Sequence, residues 1–142
     1  MCFNKYVYRY SLESSEAVLK SEKKIAIDDI IVYKIIWEKK FLFMKRYVSA
    51  IRGFKYKLHK QYETEIGIRC YLWDKENNVY YYKITANTGF YSYQSLSIPT
   101  SLDAPVLAKF IIPKGAIYYF NECTGIYISN KIIFNKVIKV HN

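Results

Sequence analysis

LAKFIIPKGAIYYFNECTGIYISNKIIFNKVIK, residues 107–139, is the stretch that decides the fold. It consists of three short apolar runs rich in Ile, Tyr and Phe, separated by PKG at residues 113–115 and NECTG at residues 121–125. Runs of β-branched and aromatic residues bounded by turn-forming residues are typical of β-strands. The stretch therefore predicts consecutive strands joined by tight turns.

Length and composition indicate one domain spanning residues 1–142. A chain of 142 residues buries roughly 68% of its unfolded surface, which is enough for a core without disulfides. A hydrophobic content of 51% and a charged content of 24% exclude a disordered chain. No apolar run approaches the ~20 residues that span a bilayer, so we expect no membrane partner.

The cysteines Cys2, Cys70 and Cys123 predict neither a disulfide framework nor a zinc cluster, because their number is odd and no CxxC spacing occurs. Cys2 would act as a nucleophile only with a partner base, and the sequence offers no evident one. The N-terminus lacks the long apolar segment of a secretory signal. These features predict a cytoplasmic location.

The formal net charge of +10 suggests an anionic partner. A second account has equal weight, because Lys, Ile, Asn, Tyr and Phe have AT-rich codons and an AT-rich genome enriches Lys without selection for binding. The lysines are spread along the chain rather than grouped in blocks. Nucleic acid is therefore a less favoured partner than an anionic small molecule such as a nucleotide.

The first forty residues predict two strands and a helix. Residues 1–10 place Tyr6, Tyr8 and Tyr10 on one side of an alternating segment, which predicts a half-buried strand or, if the rings are exposed, a stacking row. A short helix capped by a serine is expected over residues 15–20. The nearly continuous apolar run IAIDDIIVYKIIW, residues 25–37, predicts a central strand covered on both faces.

The middle of the chain predicts further strands and turns. A turn is expected at residues 38–40, and the alternation over residues 54–59 predicts an edge strand with a basic outer face. A hairpin is expected from residues 63–84, with a four- or five-residue loop at residues 74–78. A turn and a short extended segment should follow at residues 87–93.

Two prolines, Pro99 and Pro105, limit any helix in residues 94–106 to one or two turns. No internal repeat or low-complexity segment occurs. The sequence therefore predicts an α+β fold, mostly antiparallel β-sheet with one or two short helices in a single domain.

Candidates for catalysis are few. His59 and His141 have no metal-ligand spacing with Cys, Asp or Glu, and a solvated strand residue is the simpler interpretation of His59. Asp28 and Asp29 would point to opposite faces of a strand, so they cannot share one site without a bulge. No phosphate-loop, dinucleotide-binding or nucleophile-elbow motif is present. We expect no catalytic residue, metal or cofactor, and the sequence favours a binding protein over an enzyme.

Anion recognition has better candidates. The turn around Lys114 offers backbone amides and a charge to a phosphate, although a plain β-turn is the commoner use of PKG. Tyr91, Tyr93 and the tyrosines of residues 80–82 could stack on a base, although strand alternation sends about half of such rings into the core. Lys131 lies in the polar interruption at residues 129–131, which is either a hydrogen-bonding corner or a loop.

Spaced blocks of the chain resemble a group of small proteins from bacteriophages and gut Bacteroidales genomes. The blocks are MCFN at residues 1–4, DIIVYK at 29–34, GFKYKL at 53–58, GFYSY at 89–93, IPKGAIYY at 112–119 and SNKI at 129–132. The resemblance covers most of the chain after about Ile25 and implies that residues 5–24 are an insertion or an N-terminal extension. It implies a phage-type accessory protein in the cytoplasm of a host cell, and it carries no established activity.

A more distant likeness is to the ADP-ribosyltransferase-like fold, in which a strand entering a Gly-Phe-x-Ser segment is followed by a helix and then by a strand ending in Pro-Lys-Gly. Residues 90–93 and 110–115 are similar to this plan. The catalytic Glu motif of that family has no clear counterpart, because Glu122 lies in a predicted turn. The likeness therefore implies a retained nucleotide-binding cleft more than transferase activity.

The leading hypothesis is a non-enzymatic accessory protein that binds a small nucleotide or nucleotide-derived signal in a basic, Tyr-lined cleft and so counters host immune signalling. The expected ligand-binding residues are Tyr33, Lys34, Tyr91, Ser92, Lys114 and Lys131. The lysines would contact phosphates, and the tyrosines would stack on a base. Two alternatives stay open: a protein–protein interaction module for a host protein, with a tyrosine-rich contact surface, and a divergent ADP-ribosyltransferase-like enzyme.

Overall fold

A computed structural model describes residues 3–42, 44–49, 54–96 and 105–138. In chain order its elements are β1 (Phe3–Arg9), α1 (Ser15–Glu22), β2 (Lys24–Ile25), β3 (Ile30–Phe41), β4 (Met44–Ser49), β5 (Lys55–Tyr56), β6 (Gln61–Glu63), β7 (Gly67–Glu76), β8 (Val79–Thr88), β9 (Phe90–Tyr93), β10 (Pro105–Ile112), β11 (Ile117–Asn121), β12 (Ile126–Ser129) and β13 (Lys131–Ile138). Within these ranges the chain is mostly antiparallel β-sheet with one short helix, so it lies at the all-β margin of the predicted class. The helix predicted within residues 94–106 falls largely outside the described residues.

A small sheet contains three strands in the order β1-β8-β7. The hairpin of β7 and β8 is closed by Asn77 and Asn78, whose φ angles are 51° and 63°. A two-residue hairpin turn needs two successive left-handed residues, and Asn tolerates that conformation. The predicted four- or five-residue loop is therefore wrong, because strand pairing continues as far as Glu76 and Val79.

The helix α1 packs against the small sheet. It begins as predicted at a serine cap, since the hydroxyl of Ser14 accepts a hydrogen bond from the backbone N–H of Ala17 at 3.1 Å. Val18 of the helix is fully buried in a cluster with Phe3 of β1 and Tyr82 of β8. Residues 5–24 thus supply most of β1 and all of α1, with buried side chains in both.

The large sheet has the strand order β2-β11-β12-β9-β3-β10-β13-β6, and β4 pairs with both β3 and β5. Residues 107–138 supply most of β10 and all of β11 to β13. Asn130 divides the third apolar run into two strands, because its backbone N–H donates to the carbonyl of Ile117 and its side-chain carbonyl accepts from the Ile117 N–H. The polar interruption at residues 129–131 is therefore a hydrogen-bonding corner.

The strand β3 is central in pairing but is not covered equally on its two faces. Val32 and Ile36 are fully buried, whereas Ile31 on the opposite face is 50% exposed. The turn predicted at residues 38–40 is wrong, because β3 continues in register with β4 and Glu38 pairs with Tyr47. The carboxylate of Glu38 is accommodated there by an ion pair with Lys45 of β4, at 3.6 Å.

The large sheet carries a hydrophobic core on each face. Phe90 and Tyr127 face one core together with Phe110 and Phe134, and this core is closed by Tyr56 of β5. The opposite face packs against the small sheet and α1. β5 is an edge strand, as predicted, although only two residues long.

Candidate functional site

A hollow opens in the large sheet where β3 changes its neighbour. On one edge, β3 pairs with β9 at Tyr33 and Tyr93, whereas β4 takes over that edge only from Ile36 onward. Lys34 lies in the interval between the two neighbours, on the same face as the buried Val32 and Ile36. The exchange of partners leaves this interval without the side chains that a continuous third strand would supply.

The hollow is a cavity of about 310 Å³, within the size range of sites for small ligands. Its lining comes from β3, β4, β5, β6, the end of β8 and β9. The lining residues are Lys34, Ser49, Phe54, Tyr56, Glu63, Thr64, Thr88, Gly89, Phe90 and Tyr91.

Lys34 supplies a positive charge to this cavity. Its ammonium group donates a hydrogen bond to the backbone carbonyl of Tyr91 and lies 5.7 Å from the centre of the Tyr56 ring and 5.9 Å from that of Phe110. Desolvation by burial lowers the pKa of Lys34 from 10.5 to about 8. Among the described residues, no carboxylate forms an ion pair with Lys34.

Aromatic rings form one side of the cavity. The centre of the Phe54 ring lies 5.0 Å from the centre of the Tyr56 ring and 6.0 Å from the centre of the Phe90 ring. Tyr56 is 5% exposed and belongs to the core, where burial and then the neighbouring Tyr62 raise the pKa of its phenol. Phe54 is 40% exposed, so its ring has free surface to offer a bound aromatic group.

Ser92 is fully buried next to this site, and its hydroxyl has no hydrogen-bond partner in the described part of the chain. The pairing of Tyr33 with Tyr93 places Lys34 and Ser92 at the next position on the same face of the sheet. A buried hydroxyl without a partner is costly, and such groups are uncommon in folded proteins. The Ser92 hydroxyl therefore has hydrogen-bonding capacity that the described residues leave unused.

The paired strands β6 and β13 form one edge of the cavity and carry two opposite charges there, Glu63 and Lys131. Glu63 of β6 lines the cavity and pairs in register with Lys131 of β13, and the Lys131 ammonium lies 3.8 Å from the Glu63 carboxylate. The backbone N–H of Thr64 donates to the carbonyl of Asn130 at 2.9 Å and fixes this edge. Lys131 therefore does not line the cavity itself but contacts Glu63, which does.

The structure brings only part of the predicted site together. Lys34 and Tyr91 line the cavity, Ser92 is adjacent to it and Lys131 lies at its rim. The Tyr91 ring turns to the opposite core, where its hydroxyl donates to the Ala86 carbonyl at 2.6 Å. Tyr91 therefore contributes its backbone to the cavity, and its ring is not placed to stack on a base there.

Tyr33 and Lys114 are not among the described residues that line this cavity. Tyr33 precedes Lys34 in a strand and so points to the other face. The backbone N–H of Lys114 donates to the Asp29 carboxylate at 2.9 Å, and that of Gly115 donates to the Ala26 carbonyl at 2.7 Å. Both turn amides are already used, so the PKG segment is a structural turn rather than a phosphate cradle.

Sequence reasoning missed the aromatic side of the site. Phe54 and Tyr56 were expected on a plain edge strand, and Glu63 and Thr64 at the start of another strand. The available signal was the alternation of aromatic and lysine residues over 54–57, which predicts that the rings face inward. The position of these rings at the cavity depends on the pairing of β5 with β4, which the local sequence pattern does not predict.

Comparisons with known proteins add no family to this picture. No protein-family model, curated protein or solved structure matches the chain. In the described ranges, no helix is long and apolar enough to cross a membrane. Nor do those residues contain a group of three or more His, Cys, Asp or Glu side chains arranged to hold a metal ion.

Proposed function

We propose that the protein binds a small anionic ligand with an aromatic ring, of the nucleotide class, in the cavity at Lys34. The observation that carries this proposal is the ammonium group of Lys34, which lies in the cavity beside aromatic rings without a carboxylate partner among the described residues. Binding without catalysis is the activity that this arrangement favours.

The physical reason is the cost of a desolvated charge. Burial penalises the protonated form of Lys34, and the one hydrogen-bond acceptor found for it among the described residues, the Tyr91 carbonyl, compensates only part of that penalty. A phosphate placed in the cavity would supply the missing counter-charge in a medium of low dielectric constant, where the attraction is stronger than in water. Binding of the ligand would therefore offset the desolvation penalty on the protonated Lys34.

The remaining lining suits the other parts of a nucleotide. The exposed ring of Phe54 can stack on a base, and such stacking contributes about 1–3 kcal/mol per base. Thr64 and Thr88 add hydroxyl groups, and the buried hydroxyl of Ser92 adjoins the cavity. These groups support an aromatic and polar ligand over a purely apolar one.

Isothermal titration calorimetry with adenosine nucleotides and cyclic nucleotides tests the proposal. Wild type should release or absorb heat with at least one of them, Lys34→Met should abolish the signal, and Phe54→Leu should weaken it. Lys114→Met is the matched control, because it removes the same charge from an exposed turn outside the described lining of the cavity. No heat with any nucleotide, or equal binding by Lys34→Met, would contradict the proposal.

Capture of a nucleotide signal of host immunity is the use that the resemblance to phage proteins suggests. The cavity supports this only as far as the chemical class of ligand. Adding the purified protein to a nucleotide-activated effector and measuring loss of activation tests it, with Lys34→Met as the variant that should not inhibit.

A divergent NAD-using enzyme is a second candidate, because the carboxylate of Glu63 lines the same cavity. ADP-ribosyl transfer would need a carboxylate facing the bound dinucleotide, and Glu63 is the lining carboxylate in the described residues. Release of nicotinamide from NAD that Glu63→Gln abolishes would support an enzyme. Binding of NAD without turnover would favour the non-enzymatic proposal.

A further inference from the structure

The outer face of the small sheet is covered with aromatic side chains. Residues two apart in a strand share a face, and a bulge between Leu72 and Asp74 brings Trp73 onto the same side as its neighbours. We call this surface the aromatic face. Its members are Tyr6, Tyr8, Tyr71, Trp73, Tyr81 and Lys83.

Most rings of the aromatic face are exposed, and two of them are in contact across the sheet. Tyr6, Tyr8 and Trp73 are each 57% exposed. The rings of Tyr6 on β1 and Trp73 on β7 are 5.5 Å apart in an edge-to-face contact, although β8 lies between the two strands. The contact therefore joins rings of the two outer strands across the sheet, and exposed aromatic surface of this kind marks interaction sites.

A lysine lies in the middle of this surface. Lys83 pairs in register with Tyr6 on one side and with Tyr71 on the other, and its ammonium group is 5.6 Å from the centre of the Tyr6 ring. The phenol groups of Tyr6 and then Tyr71 raise the pKa of Lys83. No carboxylate in the described ranges forms an ion pair with it.

A polar recess continues the aromatic face toward the start of β7. It has a volume of about 230 Å³, and Asn4, Arg69 and Thr85 line it. These three residues form the row of the sheet next to that of Tyr6, Lys83 and Tyr71. The surface therefore combines stacking rings, two cations and hydrogen-bonding side chains within two adjacent rows.

We propose that the aromatic face binds single-stranded nucleic acid. Unpaired bases would stack on the exposed rings, Lys83 and Arg69 would meet phosphates, and the recess would receive the edge of a base or a sugar. Aromatic platforms with interleaved cations are the usual means of holding single strands without sequence readout. A duplex hides its base faces, so it cannot use the rings in this way.

Charge complementarity favours a nucleic acid over a protein partner. The chain carries a formal net charge of +10, and Lys83 and Arg69 lie in the central rows of the face, whereas the carboxylates of Asp74 and Glu76 lie at the end of β7 next to the hairpin turn. A single strand, with one negative charge per nucleotide, complements both the net charge of the chain and the two cations of the central rows. The aromatic face and its recess share no residue with the lining of the cavity at Lys34. Variants in one surface therefore test the nucleic-acid proposal without affecting the nucleotide proposal, and the reverse.

The test uses a fluorescein-labelled oligouridylate of twelve nucleotides and the matching oligothymidylate, with anisotropy measured at 50 and 200 mM NaCl. At least one should bind wild type, and its affinity should fall steeply with salt. Trp73→Leu and Lys83→Met should each weaken binding about tenfold, whereas Lys114→Met should change it less than twofold. The same strand annealed to its complement should bind at least tenfold more weakly.

A second measurement reports stacking directly and does not depend on the folding of the Trp73→Leu variant. In a Trp37→Phe background, Trp73 is the only tryptophan of the chain, and unlabelled single strand should quench its emission. Absence of binding at 50 mM NaCl, or equal losses with Lys83→Met and Lys114→Met, overturns the proposal. So does self-association or protein binding through Trp73 with no quenching by the oligonucleotides.

Discussion

The ammonium group of Lys34 donates its hydrogen bond to the backbone carbonyl of Tyr91, 57 residues further along the chain. This contact joins β3 to β9 close to the point where the two strands separate. It also directs the charge of Lys34 toward the cavity wall formed by β9. The ionisation of one lysine is therefore coupled both to ligand binding and to the stability of the sheet.

Binding of an anion at Lys34 should depend on pH through the lysine itself. The protonated lysine attracts the ligand, so affinity should be constant below its pKa of about 8 and fall above it. A single group of this kind predicts a loss of about thirtyfold between pH 7 and pH 9.5. Titration calorimetry with cyclic adenosine monophosphate, whose phosphodiester keeps one charge throughout, measures it.

The matched variant for this pH dependence is Lys34→Arg. Arginine stays charged over the whole range, so any binding that it retains should be independent of pH. A wild-type affinity that does not change between pH 7 and pH 9.5 would show that Lys34 does not contact the anion.

The free energy of unfolding should rise with pH in the same interval. The pKa of Lys34 is about 8 in the folded protein and 10.5 without burial, so below pH 8 both states are protonated and the folded state bears the full penalty. Between pH 8 and 10.5 the folded state loses its proton first, and the penalty shrinks. That difference in pKa corresponds to about 3 kcal/mol as an upper bound.

Lys34→Met should therefore stabilise the free protein by about 1–3 kcal/mol at pH 7, and the gain over wild type should fade as the pH approaches 10. Urea unfolding followed by circular dichroism at several pH values measures both. The opposite result, destabilisation by Lys34→Met at pH 7, would mean that the lysine is better compensated than its surroundings indicate.

Strand alternation shows how much of this site the sequence can predict, because adjacent residues of a strand point to opposite faces. Tyr33 and Lys34 are adjacent, as are Tyr91 and Ser92, so no strand could have placed all four side chains in one cleft. The patterns of apolar residues did identify both strands and put Lys34 on one of them. They could not predict that β3 exchanges β9 for β4 along one edge, because that choice depends on pairing between distant segments.

The same distinction explains the outcomes for the fold. The serine cap of α1 depends on nearby residues and was predicted correctly. The turn at residues 38–40 was wrong because three charged residues look like a loop, whereas pairing with β4 keeps them extended. Local chemistry predicts where a strand can form, and tertiary pairing decides where it ends.

Gly89 should be intolerant of a side chain. Its φ angle is +135°, and an added Cβ would lie 2.6 Å from Cγ1 and 2.7 Å from Cδ1 of Ile128. Because Ile128 is fully buried in the core, its side chain has little space into which it can move. Gly89→Ala should lower the free energy of unfolding by about 2–4 kcal/mol, from strain and overpacking together.

Gly115→Ala separates the two causes. Gly115 also has a positive φ, +87°, but nothing lies within 4 Å of its added Cβ. Its substitution should cost only the backbone strain, about 1–2 kcal/mol. Denaturant unfolding of both variants measures the difference, and equal losses would rule out the clash with Ile128.

Lys5 holds three elements together through its buried ammonium group. The group contacts the Glu22 carboxylate of α1 at 2.9 Å, the Phe120 carbonyl of β11 at 2.8 Å and the Glu122 carboxylate at 3.1 Å. Lys5→Met would remove this donor from the carbonyl and would leave Glu22 with Arg9 as its one cation within the described ranges. We expect a loss of about 2–3 kcal/mol in the free energy of unfolding, measured in urea.

The control is Lys45→Met, which breaks the ion pair of Lys45 with Glu38. That pair is 3.6 Å long, and the Lys45 side chain is 58% exposed, so its loss should cost less than about 0.5 kcal/mol. Glu122→Gln should be similarly mild because the Glu122 side chain is 68% exposed. If Lys5→Met is as mild as these two, water rather than Lys5 satisfies the ends of α1 and β11.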